Sequence, residues 1–165
     1  MTPEPPQPFR SPLMDLEPGW IDYNGHLNLA YYHVLFDRGI DALFDAIGLG
    51  EPYRATRGYT TYSAETHVCY LREVPPKARV YATAQIVGLD AKRLHIFQEL
   101  FHEDGWRAAT LESLSLSIDQ NHPSGGPKVA PFPADVFDRV AAVAADHAKL
   151  PTPDRLGRAV RLGRG

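Results

Sequence analysis

One short stretch concentrates the residues able to do chemistry: Trp20-Ile21-Asp22-Tyr23-Asn24-Gly25-His26-Leu27-Asn28-Leu29-Ala30-Tyr31-Tyr32. It sets an acid, two asparagines, a glycine and a histidine in the turn before a long helical pattern. A helix N-terminus offers unpaired backbone N–H groups and the positive end of the dipole. That is a suitable place to stabilise an oxyanion. A carboxylate beside it supplies a general base or a nucleophile. The same residue types are ordinary helix caps and turn formers. The segment therefore reads either as a capped helix start or as a catalytic turn.

The elements around it follow from patterning. Leu29, Phe36, Ile40, Leu43, Phe44 and Ile47 recur at helical spacing, which predicts one helix over Leu27–Ile47. Val34 and Leu35 widen its apolar face, as expected of a helix wrapped by other structure. Gly48 and Gly50 end it. Four strand-like runs follow: Thr60–Leu71, Arg79–Val87, Arg93–His102 and Arg107–Asp119, the last ending in the alternation Leu114, Leu116, Ile118. Asp104-Gly105 marks a tight hairpin and Gly88–Lys92 a longer one. Short loops between consecutive strands imply an antiparallel sheet, and one long helix before it implies an α+β fold with the helix laid on the sheet.

The fifteen prolines bound the domain. Six lie in residues 1–18 and six between Pro123 and Pro153. Only Pro52, Pro75 and Pro76 fall between. Proline cannot donate to a helix or sheet ladder, so its scarcity marks the regular core. The chain divides into a proline-rich leader (1–11), with a possible short edge strand after it, a core domain (12–122) and a C-terminal extension (123–165). The extension holds an amphipathic helix over Pro133–Leu150 and a tail with Arg155, Arg158, Arg161 and Arg164 three apart.

Composition excludes several classes. The chain has 165 residues, enough for one domain that buries about 70% of its unfolded surface without a staple. A formal charge of −3 argues against general nucleic-acid binding. The single cysteine, Cys69, allows neither an internal disulfide nor a thiolate zinc site. The seven histidines include no His-Glu-x-x-His, so no metal is expected. No Gly-x-Ser-x-Gly appears. No apolar run reaches membrane-span length, and the proline-rich start is unlike a signal peptide. The expectation is a cytoplasmic protein with no membrane partner.

The motif Asp22-x-x-Gly25-His26-x-Asn28-x-x-x-Tyr32, followed by Phe36, resembles the hot-dog-fold acyl-CoA thioesterases of the 4-hydroxybenzoyl-CoA thioesterase type. Glu65–Val74 is similar to that family's second strand. Trp20–Tyr32, Asp90–His95 and Leu150-Pro151-x-Pro153-x-x-Leu156-Gly157-Arg158 look like the branch with carnitinyl-CoA and betainyl-CoA thioesterases. The resemblance implies a long helix wrapped by a five-stranded antiparallel sheet. It also implies a homodimer, or a dimer of dimers, with active sites at the subunit interface. It implies Asp22 as the catalytic carboxylate, with Asn24, Gly25 and His26 completing the catalytic turn. The N–H near Gly25, His26 or Leu27 would hold the oxyanion. Asn28 and Tyr32 would contact the acyl-CoA substrate. No cofactor is implied.

Leu29 departs from the family pattern, standing where many relatives have a second asparagine. Some relatives use an acid on the helix, for which Asp37 and Asp41 are candidates. Glu65 and His67 share one strand face and are candidates to reach the site across the interface. Trp20, Tyr23, Tyr31, Tyr32, Tyr59 and Tyr62 crowd the site in sequence. Aromatic faces attract quaternary ammonium groups, though core or interface packing is the commoner use. Lys92, Arg93 and the tail arginines are candidates for the phosphates of coenzyme A. Two rival functions stand beside hydrolysis. One is an enoyl-CoA hydratase or dehydratase, disfavoured by the missing proline between Asn24 and His26. The other is a non-catalytic acyl-CoA-binding module, disfavoured by the retained Asp22.

Overall fold

A computed structural model describes residues 6–162. Arg164 of the predicted basic tail and the first five leader residues lie outside them. In chain order the elements are β1 (Phe9–Arg10), β2 (Met14–Asp15), a 3₁₀ turn (Pro18–Trp20), α1 (Leu29–Ile47), α2 (Glu51–Arg57), β3 (Tyr59–Tyr70), β4 (Arg79–Leu89), β5 (Arg93–His102), β6 (Arg107–Asp119), β7 (Lys128–Val129) and α3 (Ala134–His147).

The sheet runs β1-β4-β5-β6-β3, every pairing antiparallel. β2 shares the β4 edge with β1, and the short β7 pairs with the end of β6. The five lanes and the helix against them are the hot-dog arrangement. β5 and β6 match their predicted spans, and Gly105 takes the positive φ of the hairpin between them. α2 was not foreseen; its seven residues sit between two glycines after α1.

α1 turns Tyr32, Leu35, Phe36, Gly39, Ile40, Leu43, Phe44 and Ile47 to the sheet. Gly39 is needed there for close approach. A Cβ on it would stand 2.6 Å from the Ala82 Cβ of β4. α3 lies beside α1 in the same layer. Its Val136 and Val140 share a core cluster with Leu43, Ile47, Ile86 and Leu94. The C-terminal extension thus completes the domain's own core, and β1 brings the end of the leader into the sheet.

β6 inverts the natural reading of its pattern. Ser113, Ser115 and Ser117 are the buried set on the α1 side, while Leu114 and Leu116 face outward, half-buried. Period-2 alternation says which residues share a face, not which face is inside. The tail after α3 wraps round to that outer face. Arg107 of β6 donates two hydrogen bonds to Asp154, at 2.8 and 2.9 Å, and one to Glu99 at 2.6 Å. Gly157 N–H donates to Glu112 at 2.7 Å.

Candidate active site

The turn before α1 is a small closed loop. Ile21 and Leu27 form an antiparallel bridge. Inside it the Asp22 N–H donates to the His26 carbonyl at 3.0 Å, and the Gly25 N–H to the Asp22 carbonyl at 2.9 Å. Gly25 has φ +80°, a left-handed conformation costly for other residues. The loop is tied to the body by Leu27 N–H donating to Val74 O at 3.0 Å and Asn28 N–H to Trp20 O at 2.9 Å.

This geometry separates the two meanings of the segment. Asn28 is the cap: its Oδ1 accepts from Ala30 N–H at 3.0 Å at the first turn of α1. Asp22 does not cap α1. Its Oδ1 accepts from Asn24 N–H at 2.8 Å within the loop, which orients the carboxylate and leaves Oδ2 without a partner among the described residues. The N–H groups of Asn24, Gly25 and Leu27 are all donated. Of the three N–H groups expected to receive an oxyanion, only that of His26 has no partner among the described residues. The Asn24 side chain is exposed.

Tyr32 is 4% exposed and meets Tyr70 edge to face, with ring centroids 5.1 Å apart. Burial raises the pKa of its hydroxyl against a hydrogen bond with the Val74 backbone, and the nearby Tyr70, Glu73 and Asp22 push it up further. The hydroxyl therefore stays protonated at neutral pH and can donate. Tyr70 donates to the Leu29 carbonyl at 3.2 Å, pinning the end of β3 to the start of α1. Glu73 Oε2 stands 3.8 Å from His26 Nε2. Sequence reading did not single out Tyr70 or Glu73 as site residues. Their place within the Glu65–Val74 strand signature was the only signal.

Other expected site residues are not gathered at this turn. Trp20 is 7% exposed and stacked on Tyr31 at 5.2 Å, with the Arg38 guanidinium 4.9 Å over its ring. Tyr23 is 98% exposed and encloses nothing within the chain, and Tyr62 is exposed on the outer side of β3. Glu65 lies on the outer sheet face, away from α1. There it lines a cavity of about 320 Å³ with His67, His95, Glu112 and Arg158. Lys92 and Arg93 sit at the β4–β5 hairpin, where neighbouring Leu94 packs with Ile47 at the far end of α1. Arg93 is paired with Asp90 at 2.6 Å, and Asp90 also accepts from Lys92 N–H at 2.9 Å. Within one chain these cations are separated from Asp22 by the length of the sheet. Among the described residues no group of three or more His, Cys, Asp or Glu is arranged to hold a metal. None of the described helices is long and apolar enough to cross a membrane.

Residues 16–140 match the model of the thioesterase-like superfamily. The chain belongs to that superfamily. It is 39% identical over 157 residues to a betainyl-CoA thioesterase of Pseudomonas aeruginosa, covering 93% of each chain. It is 34% identical to an L-carnitine dehydrogenase/betainyl-CoA thioesterase of Rhizobium meliloti, covering 93% of this chain and 30% of that longer one. A Staphylococcus aureus protein solved in complex with CoA superposes with a TM-score of 0.85 at 26% identity, over 99% of this chain and 100% of that one. A Staphylococcus aureus DHNA-CoA thioesterase shares the fold, with a TM-score of 0.69 at 15% identity, over 82% of this chain and 91% of that one. As a member of this superfamily the chain is an enzyme that hydrolyses acyl-CoA thioesters, and the hydratase and binding-module readings are not favoured.

Proposed function

We propose that the chain hydrolyses the thioester of a short, positively charged acyl-CoA, betainyl-CoA first among them, to the free acid and CoA. The observation that carries this is the Asp22 turn: an oriented carboxylate with a free oxygen, four residues before an undonated His26 N–H, ahead of α1. The similarity across 93% of the Pseudomonas aeruginosa protein supports the choice of acyl group. Carnitinyl-CoA is the next substrate to try.

Asp22 acts through Oδ2, either taking a proton from an attacking water or attacking the carbonyl itself. A C–O bond forms, charge collects on the carbonyl oxygen, and the His26 N–H faces that charge. The C–S bond then breaks and coenzyme A leaves as its thiolate. Water supplies the oxygen of the product acid, and its proton returns to the thiolate. The Tyr32 hydroxyl, held protonated, is a donor beside Asp22. No metal or organic cofactor is called for; coenzyme A is part of the substrate. The compartment that suits a CoA ester and one reduced cysteine is the cytoplasm.

The working unit is a homodimer joined along β3, or a dimer of such dimers. β3 is the sheet's long free edge, twelve residues with Tyr62–Thr66 exposed. An edge of that length is a template for another strand.

The test is thiol release from betainyl-CoA, carnitinyl-CoA and neutral short-chain esters by wild type and Asp22→Asn. The variant should be about 10²–10⁴-fold slower. Equal rates in a folded variant remove Asp22 from the mechanism. Cationic esters reacting no faster than neutral ones remove the acyl assignment.

A further inference from the structure

The motif Leu150-Pro151-x-Pro153-x-x-Leu156-Gly157-Arg158 has no part in the Asp22 turn. In the fold it is a strap across the outer sheet face. Gln85 of β4 donates to the Pro151 carbonyl at 3.5 Å. Arg107 of β6, itself tied to Glu99 of β5, holds Asp154, and Glu112 of β6 accepts from the Gly157 N–H. Arg158 then lines a cavity with Glu65 and His67 of β3. The strap therefore runs from the covered β4 edge towards the free β3 edge.

Val160 is 93% exposed and Leu162 is 99% exposed. Single exposed apolar residues are common. These two alternate with Arg161, so an extended chain turns both to one side, the side of Arg158. At about 3.3 Å per residue, Ala159–Leu162 span about 13 Å, against about 4.8 Å between neighbouring strands. That length carries Leu162 past β3 and over a strand paired to it.

The outer face at that edge offers what such a segment needs. Tyr62 of β3 stands opposite Leu116 of β6, and Glu65 opposite Leu114. Tyr62 and Glu65 are exposed, and the two leucines are half-buried. β3 spans Tyr59–Tyr70, so antiparallel pairing of two copies about its middle sets His67 of one opposite Tyr62 of the other. A segment leaving one copy at the level of His67 thus arrives at the Tyr62–Leu116 pair of the second. The same pairing puts the two Glu65 carboxylates on either side of the twofold axis, where like charges repel. Arg158, in the cavity with Glu65, is the cation placed to offset them.

We propose that Arg158–Leu162 is a clasp between two copies of the chain. It crosses the β3 edge and lays Val160 and Leu162 on the Tyr62–Leu116 patch of the second copy, while Arg158 offsets the Glu65 carboxylates. This rests on the β3-joined dimer and deepens it. Strand pairing joins the copies through backbone groups. The clasp adds apolar burial on the outer face and fixes the register, because a slip of the second copy along β3 moves the patch away from Leu162. By symmetry two clasps close each dimer.

The experiment measures the dimer dissociation constant by dilution. Val160→Ser/Leu162→Ser, at two positions exposed in the single chain, should raise it about tenfold or more. As a second measurement, Tyr62→Cys/Leu162→Cys is oxidised and run on a denaturing gel without reductant. It should give a covalent dimer that neither single variant forms. An unchanged dissociation constant, or the absence of that covalent dimer, overturns the clasp and leaves the β3 dimer in place. Wild type behaving as a monomer of 18.3 kDa overturns the dimer reading itself.

Discussion

Asp22 and Asn28 are both residue types that favour helix caps, yet only Asn28 caps α1. The chain meets its capping need at one position and leaves a carboxylate for another purpose six residues earlier. Gly25 makes this possible. Its left-handed conformation closes the loop and directs the next N–H, that of His26, away from the loop's internal bonds. Gly25→Ala places a Cβ in open space, so any cost comes from the backbone alone. It should lower stability by about 1–2 kcal/mol, measured by thermal unfolding. Thiol release should fall more than stability accounts for, because the oxyanion donor moves; loss of one such donor costs about 10²–10³ in rate. A variant with lower Tm and full activity would take the His26 N–H out of the reaction. The sequence singled out this whole turn as the place to look. It was silent on the division of labour within it, because capping and catalysis draw on the same residue types.

At the scale of elements, α3 is docked by a single buried histidine as well as by its apolar face. β1 covers only Thr83 and Ala84 of the β4 edge, leaving the Ile86 N–H to find another acceptor. His147 Nδ1 accepts it at 2.9 Å, and Gln85 donates to the His147 carbonyl at 3.2 Å. Burial lowers the His147 pKa, with Asp146 opposing. The sign follows. Above about pH 6.5 the residue is neutral whether folded or unfolded. Below that the unfolded chain takes up a proton that the docked helix excludes, so stability falls as pH drops toward the folded pKa. Thermal unfolding of wild type should show Tm declining between pH 7 and pH 5. His147→Ala should flatten that decline and cost about 1–3 kcal/mol at pH 7, since Ile86 N–H loses its acceptor. Equal slopes for the two proteins would assign the decline to other groups. The amphipathic pattern predicted α3. The edge vacancy on β4 that the histidine fills was invisible, because β1 is two residues long and carries no strand signature.

At the scale of the molecule, one sheet edge is closed and the other is open. β1, β2 and α3 cover β4, whereas β3 ends the sheet with its outward groups unpaired among the described residues. Light scattering should give at least twice the chain mass of 18.3 kDa. A monomer with full activity would overturn the shared site.

Periodicity and turn chemistry were enough to specify the long helix, the four long strands, the antiparallel character of their sheet and the turn that holds Asp22, but not that β3 pairs with β6. Those features depend on residues a few positions apart, where backbone geometry and local hydrogen bonding decide. Three things waited for the tertiary structure. The serines of β6 and Gln98 face the helix, because alternation is symmetric between the two faces of a strand until packing chooses one. Lys92 and Arg93 lie at the opposite end of the sheet from Asp22, because strand length, not proximity in the motif list, sets that distance. Trp20 has its ring covered by Tyr31 and Arg38, because residues eleven and eighteen positions further on return to it from one face of α1, two turns apart.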